Sequence, residues 1–206
     1  MRAIAEQKYT LEEYFELERN SEEKWEFWNG HVWCMSGASL AHEDIVANMI
    51  RSLGNRLPDG CFVAASNVRV RVPKFPPYRY PDLTIVCGQR EIESISGLEM
   101  LINPQVIIEV LSPSTEAFDR GDKFLYYRSI PSFLEYILVT PDQPHVTQLF
   151  LNADNEWIVR DFVGLESALV LATSGIEVPL SEIYRRIEFP PQGFLDPETE
   201  RRFQGC

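Results

Sequence analysis

Three short runs decide most of what this chain can become. Leu83–Val86, Val106–Leu111 and Tyr136–Thr140 are apolar on successive residues rather than on alternate ones. A strand exposed on one face alternates; a strand apolar on both faces belongs inside a sheet that is covered on both sides. Between the last two runs, Glu116–Ser129 shows helical spacing, with Phe118, Leu125 and Tyr126 among charged residues and Ser114 or Thr115 as the cap. Strand, helix and strand at that separation predict a crossover unit, hence a mixed α/β (α+β) fold.

The flanking segments add helices and hairpins to this centre. Thr10 with Glu13 forms a capping box ahead of Leu11, Tyr14, Phe15 and Leu17. Asn29-Gly30 between the aromatic runs Trp25–Trp28 and His31–Trp33 predicts a hairpin. Ser39 caps a helix reaching about Leu57, whose Ile45, Met49, Ile50 and Leu53 share a face. Cys61–Ala65 and Val68–Val72 read as short strands before a Pro-rich break at Pro73–Pro77. Val146–Leu151 and Trp157–Phe162 form a second hairpin, and Leu180–Ile187 a short helix. With 206 residues, 45% hydrophobic, the chain is large enough for one substantial core. A single domain over residues 1–189 and a loosely held tail over 190–206 are expected.

Several classes are excluded early. No run reaches the roughly 20 apolar residues of a membrane span. The N-terminal stretch turns acidic at once and has no apolar signal core, so a cytoplasmic protein is expected. Cys34, Cys61, Cys87 and Cys206 are widely spaced and read as reduced thiols, mostly buried. The three histidines are too scattered for a His-based metal cluster.

The chemistry is signalled by an acid inside each of two apolar runs. Asp82 opens the run Leu83–Val86, and Glu109 interrupts Val106–Leu111. A buried carboxylate costs several kcal/mol unless it is paired or coordinated. Either acid alone is explained by a strand end or an arginine partner. Together, at neighbouring strand ends, they can converge on one hard cation, with a backbone carbonyl completing the site. Such an ion polarises a phosphate and acidifies a water, and a nearby lysine would assist.

Pro81-Asp82, a gap, then Glu109-Val110-Leu111 resembles the PD-(D/E)XK nuclease signature. The closer likeness is to the Uma-two family of bacterial endonucleases within that superfamily. It is carried by Tyr9–Tyr14, Trp25–Gly30, Gly37–Asn48 with His42, Tyr80-Pro81-Asp82 and Glu109–Thr115 continuing through Asp119–Lys123. The resemblance implies a restriction-endonuclease-like core, a mixed central sheet flanked by helices with extra hairpins. It implies Asp82, Glu109 and the Val110 carbonyl as ligands of Mg²⁺, with Mn²⁺ as a substitute, and Glu26 as an upstream acid joining the site. The sequence departs from the pattern at Leu111, where the superfamily has lysine. Period-two alternation puts Ile107, Glu109 and Leu111 on one face, so the expected amine is missing from its place.

Lys123 is the best substitute. Either it swings back over the strand ends as a relocated catalytic lysine, or it pairs with Asp119 at i, i+4 on a solvated face. His42 either looks into the cleft or is a satisfied, half-buried histidine, and Tyr126 and Tyr127 either hydrogen-bond near the metal or pack. The formal charge of −12 argues against a broad basic nucleic-acid clamp. Asn67–Tyr80 nonetheless holds Arg69, Arg71, Lys74 and Arg79 without an acid, interleaved with Phe75, Tyr78 and Tyr80. That stretch is either a strip facing DNA or an ordinary exposed loop. The reading is a Mg²⁺-dependent endonuclease hydrolysing phosphodiester bonds in DNA. The alternative is a nuclease-fold protein that binds DNA or oligomerises without cutting. A homodimer is expected, the aromatic hairpin offering apolar surface unless its tryptophans are core.

Overall fold

The apolar runs lie side by side in a computed structural model that describes residues 2–3, 8–28, 30–34, 37–73 and 78–189. Along the chain, β1 (Arg2–Ala3), α1 (Leu11–Asn20), β2 (Trp25–Trp28), β3 (His31–Cys34) and α2 (Leu40–Gly54) come first. Then follow β4 (Cys61–Ala65), β5 (Val70–Arg71), β6 (Tyr78–Arg79), β7 (Leu83–Cys87), β8 (Ile92–Ile95), β9 (Leu98–Leu101) and β10 (Val106–Val110). The helices α3 (Glu116–Arg120) and α4 (Asp122–Tyr127) lead to β11 (Glu135–Thr140), β12 (His145–Leu151) and β13 (Trp157–Val163). β14 (Ala168–Val170), β15 (Glu177–Pro179) and α5 (Leu180–Ile183) complete the described chain.

The main sheet runs β13-β12-β11-β10-β7-β4. β10 and β11 are parallel, as a crossover through α3 and α4 requires, with Glu109 opposite Leu138. The other neighbours are antiparallel, so the sheet is mixed. β10 sorts its residues by parity. Val106, Ile108 and Val110 pack with Ile45, Met49 and Leu53 of α2 on one face. Ile107 and Leu111 pack with Tyr127, Ile130, Phe133 and Tyr136 on the other. Glu109 falls on this second face, under α4, as alternation requires.

A second layer is built from α1 and the aromatic hairpin β2–β3. Tyr14, Phe15, Trp25, Phe27, Val32 and Tyr78 form their own buried cluster. Tyr14 stacks on Tyr78 at 5.7 Å between centroids, and its hydroxyl donates to the Trp25 carbonyl. The Thr10–Glu13 capping box is present with both arms, fixing where α1 begins. Trp25 and Phe27 are therefore core residues of this chain rather than a ready-made dimer surface.

Four expectations change. The helix over Glu116–Ser129 is two helices broken at Gly121, whose backbone leaves helical geometry (φ −113°, ψ −102°). A Cβ there would meet the Ala117 carbonyl at 3.1 Å, a contact only glycine avoids. Val68–Val72 pairs only over β5, and the last helix stops at Ile183. The four reduced thiols do not hold: Cys61 and Cys87 face each other in the β4–β7 register, 3.9 Å between Cα atoms, and are joined as a disulfide. Sequence spacing hid this pairing because strand register created it. The Cys34 thiol donates to Glu23. Lys74, the 190–206 tail and Cys206 lie outside the described residues. Among those described, no helix is long and apolar enough to cross a membrane.

Phe27→Ala is expected to cost about 3–5 kcal/mol of unfolding free energy, as for other buried aromatics. Urea denaturation at two protein concentrations checks it; a loss that changes with concentration would place Phe27 in a subunit interface instead.

Candidate active site

The site begins where β10 outruns its neighbour. The ladder pairs Val106 with Ile85, Ile107 with Thr84 and Ile108 with Leu83. Continued by two residues it would set Val110 against Pro81, which has no N–H to donate. The carbonyl of Val110 is thus left without a ladder donor. Its amide is taken by the next side chain along, Asp82, whose Oδ2 accepts from Val110 N at 2.7 Å. Proline followed by aspartate therefore does two local jobs: it ends the strand pair and turns a carboxylate onto the end of β10.

Glu109 reaches the same end from the α4 face. It is 4% exposed, and its Oε1 accepts from Lys123 Nζ at 2.8 Å and from the Tyr127 hydroxyl at 3.0 Å. Lys123 also meets Asp119 Oδ1 at 3.0 Å. The solvated-face alternative for Lys123 does not hold, since Lys123 and Asp119 are both buried. Lys123 does pair with Asp119 at i, i+4, but in the interior, and it also reaches Glu109. From the other side His42, in the first turn of α2, places Nε2 3.1 Å from Asp82 Oδ2. Asp82, Glu109, Val110, Lys123, Asp119 and His42 line one cleft of about 540 Å³. Lys24, Glu26, Tyr80 and the hydroxyl-rich Ser112–Thr115 loop line it too.

The electrostatics are lopsided. Burial pushes the Glu109 carboxyl up to about 8; Lys123 pulls it back, while Asp82 and Asp119 add to the rise. Burial works against the charge of Lys123, but Glu109 and Asp119 outweigh it and hold the ammonium protonated. For His42, burial opposes the charged form and the hydrogen bond and charge of Asp82 overcome it, leaving the imidazole raised. Asp82 and Asp119 both act on Glu109, and these three acids face two basic groups, Lys123 and the His42 that meets Asp82.

Glu26 is beside the cluster but engaged. It is 2% exposed, its Oε2 accepts from Arg79 Nη1 at 2.6 Å, and its Oε1 accepts from Tyr80 N at 3.3 Å. It lines the cleft and adds to the field on Lys123. Two of the three arginines of the basic strip turn inward. Arg79 is buried against Glu26, and Arg69 is buried against Glu18 and the Tyr80 hydroxyl. Arg71 pairs with Glu93. These guanidiniums neutralise acids of α1 and β2 that lie some fifty residues away in sequence, 51 for Arg69 and 53 for Arg79. Asp119 and the Tyr127 hydroxyl join the site; each is four residues from Lys123 in the sequence, but their burial is set by how α3 and α4 lie on the sheet. Lys24, held by the Ser66 carbonyl at 3.1 Å, is a cation at the cleft that no motif announced.

Glu26→Ala removes the carboxylate facing a buried guanidinium and is expected to cost about 3–5 kcal/mol, with Glu26→Leu/Arg79→Met recovering most of it. Chemical denaturation of the single and double variants measures both. Glu109 makes stability pH-dependent. Its native carboxyl is raised to about 8 from an ordinary 4.5, so the native state binds more protons across that window. Stability should therefore fall as pH climbs from about 5 to about 8. Glu109→Gln, measured by urea unfolding at several pH values, should flatten that slope.

Residues 11–181 match the Uma2 family model, described as “Putative restriction endonuclease”. “Uncharacterized protein slr1290” of Synechocystis sp. is 30% identical over 88% of this chain and 94% of its own length. “Uncharacterized protein sll1609” of the same organism is 30% identical over 75% of this chain and 88% of its own. The fold is shared with a crystal structure described as “a putative nuclease belonging to DUF820” from Anabaena variabilis. The TM-score is 0.63 at 16% identity, covering 85% of this chain and 97% of that one. By a family match that spans α1 to the start of α5, the chain belongs to the Uma2 family.

Proposed function

We propose that the protein is a Mg²⁺-dependent endonuclease that hydrolyses phosphodiester bonds in DNA, with Mn²⁺ able to replace Mg²⁺. The observation that carries this reading is the meeting of Asp82, Glu109 and Lys123 at the open end of β10 in an Uma2 chain. The donor set fits a hard divalent cation: the carboxyl groups of Asp82 and Glu109, with a Val110 carbonyl that has no ladder donor. Among the described residues no group of three or more His, Cys, Asp or Glu side chains closes around a metal position. Few protein ligands with waters completing the shell are what Mg²⁺ ordinarily takes. When bound, such a cation draws charge from the phosphate and acidifies a water.

The chain's own groups do the rest. Lys123, kept protonated by Glu109 and Asp119, offsets the charge that builds on the phosphate and orients the attacking water. Tyr127 and Lys123 together hold Glu109. Lys24 stands at the cleft to meet a flanking phosphate. With Arg69 and Arg79 turned inward, DNA binding in the absence of a divalent cation is weak and salt-sensitive. Cutting both strands calls for two such sites, hence a homodimer as the working form.

One observation favours the second reading, a nuclease fold that binds without cutting. Leu111 occupies the superfamily's lysine position and is 2% exposed in the apolar core. The contact of Lys123 with Glu109 supports cleavage instead. Asp82→Asn should lower Mg²⁺-dependent cleavage of plasmid DNA at least about 100-fold while the thermal melt stays cooperative. Undiminished cleavage by that variant would falsify the proposal.

A further inference from the structure

We infer that His42 is a positioning residue for Asp82: it fixes which carboxylate oxygen the site presents to a cation. The inference rests on the metal-dependent reading above. Its ground is a symmetry between the two acids. In Glu109, Oε1 carries both donors, Lys123 Nζ and the Tyr127 hydroxyl. In Asp82, Oδ2 carries both donors, Val110 N and His42 Nε2. Each carboxylate has one oxygen doubly tied to protein, and among the described residues the other, Oε2 or Oδ1, accepts no hydrogen bond. Two monodentate oxygens are thereby left for the cleft that both residues line.

The ties on Asp82 come from different elements. Val110 N belongs to β10, and a single bond from it leaves the carboxylate free to turn about its broad terminal torsion. His42 supplies the second point from α2. An ionised carboxylate only accepts, so Nε2 carries the proton in this contact. The ring is rigidly mounted. Its backbone N–H is bonded to the Ser39 cap at 3.2 Å, and α2 is anchored in the core through Ile45 and Met49, both fully buried. Behind it, Nδ1 is buried without a hydrogen-bond partner and the nearest charge, Glu43 Oε1, is 3.7 Å away. A ring nitrogen left unsatisfied is unfavourable, so packing convenience does not explain the orientation; the contact to Asp82 does. A histidine held for structure alone would have both nitrogens served.

The test is calorimetric titration of the full-length protein with Mn²⁺, for wild type, His42→Ala and His42→Gln, with thermal melts in the absence of metal. Loss of an outer tie of this kind weakens metal binding by about 10–100-fold. His42→Ala should show that loss, and His42→Gln, whose side-chain amide puts an N–H near the place of Nε2, should recover most of it. Wild-type affinity in His42→Ala overturns the inference, as does a His42→Gln variant as weak as His42→Ala, which would mark His42 as a ligand itself or as mere packing. Wild-type protein that binds no Mn²⁺ removes the metal-dependent reading first and this inference with it. The melts separate a folding defect: if His42→Ala alone melts early, the comparison of wild type with His42→Gln decides.

Discussion

A carboxylate held inside a sheet has to be answered by other charges, and much of the architecture around β10 supplies that answer for Glu109. Lys123 and Tyr127 reach it because α4 lies along the face that alternation gives to Glu109. Removing one partner from such a buried set is far more damaging than the net worth of the pair, so the elements that carry the partners are bound to one another. The break at Gly121 belongs to this. It divides the segment so that Asp119 stands in the last turn of one helix, Lys123 in the first turn of the next, and both side chains still meet beneath the turn. Tyr136 of β11 closes the far side by donating to the Asp119 carbonyl. A strand, a crossover and the parallel strand it serves are thus held by one polar cluster as well as by aliphatic packing.

The central sheet could be read from the sequence because two-sided apolarity is local information. Val106–Leu111 and Tyr136–Thr140 announce their burial residue by residue, and the side on which Glu109 lies follows from counting. The pairing of Asp82 and Glu109 was readable through a family pattern, and Pro81 gives that pattern a physical sense. What could not be read was set by contacts distant in sequence. Arg69 and Arg79 look like an exposed basic strip because their counter-charges, Glu18 and Glu26, sit in another element altogether. Cys61 and Cys87 look isolated until β4 and β7 pair with them opposite. Lys123 shows the intermediate case. Its partner Asp119 was visible at i, i+4, but whether that pair faced water or Glu109 depended on how α3 and α4 lie on the sheet.

The inward arginines bear on the chain's acidity. A net charge of −12 reads as hostile to nucleic acid, and the interior pairs make the outside no more basic than the sequence suggests. Near the cleft, however, the excess acid is not spread evenly. Asp82 and Asp119 stand close to Glu109 and its Lys123 partner, and burial first, then those two acids, drive the carboxyl of Glu109 up to about 8. Such crowding is a poor arrangement for stability alone, since a neutral side chain of similar size would avoid it. It becomes reasonable if a divalent cation joins the set, because the ion would supply positive charge to the crowded acids.

On this view attraction to DNA and assembly of the catalytic site are one event rather than two. A basic clamp binds first and positions chemistry afterwards; in the proposed site the oxygens that repel phosphate would be the same ones that, once a cation is bound, help to hold it. The salt and metal dependence of binding should then rise and fall together, which separates this site from a groove that merely carries a nuclease centre. Lys123 fits the same logic. If Asp82 and Glu109 held a cation, Lys123 would be relieved of part of its work on Glu109 while Asp119 still held it, and its charge would be available to a phosphate.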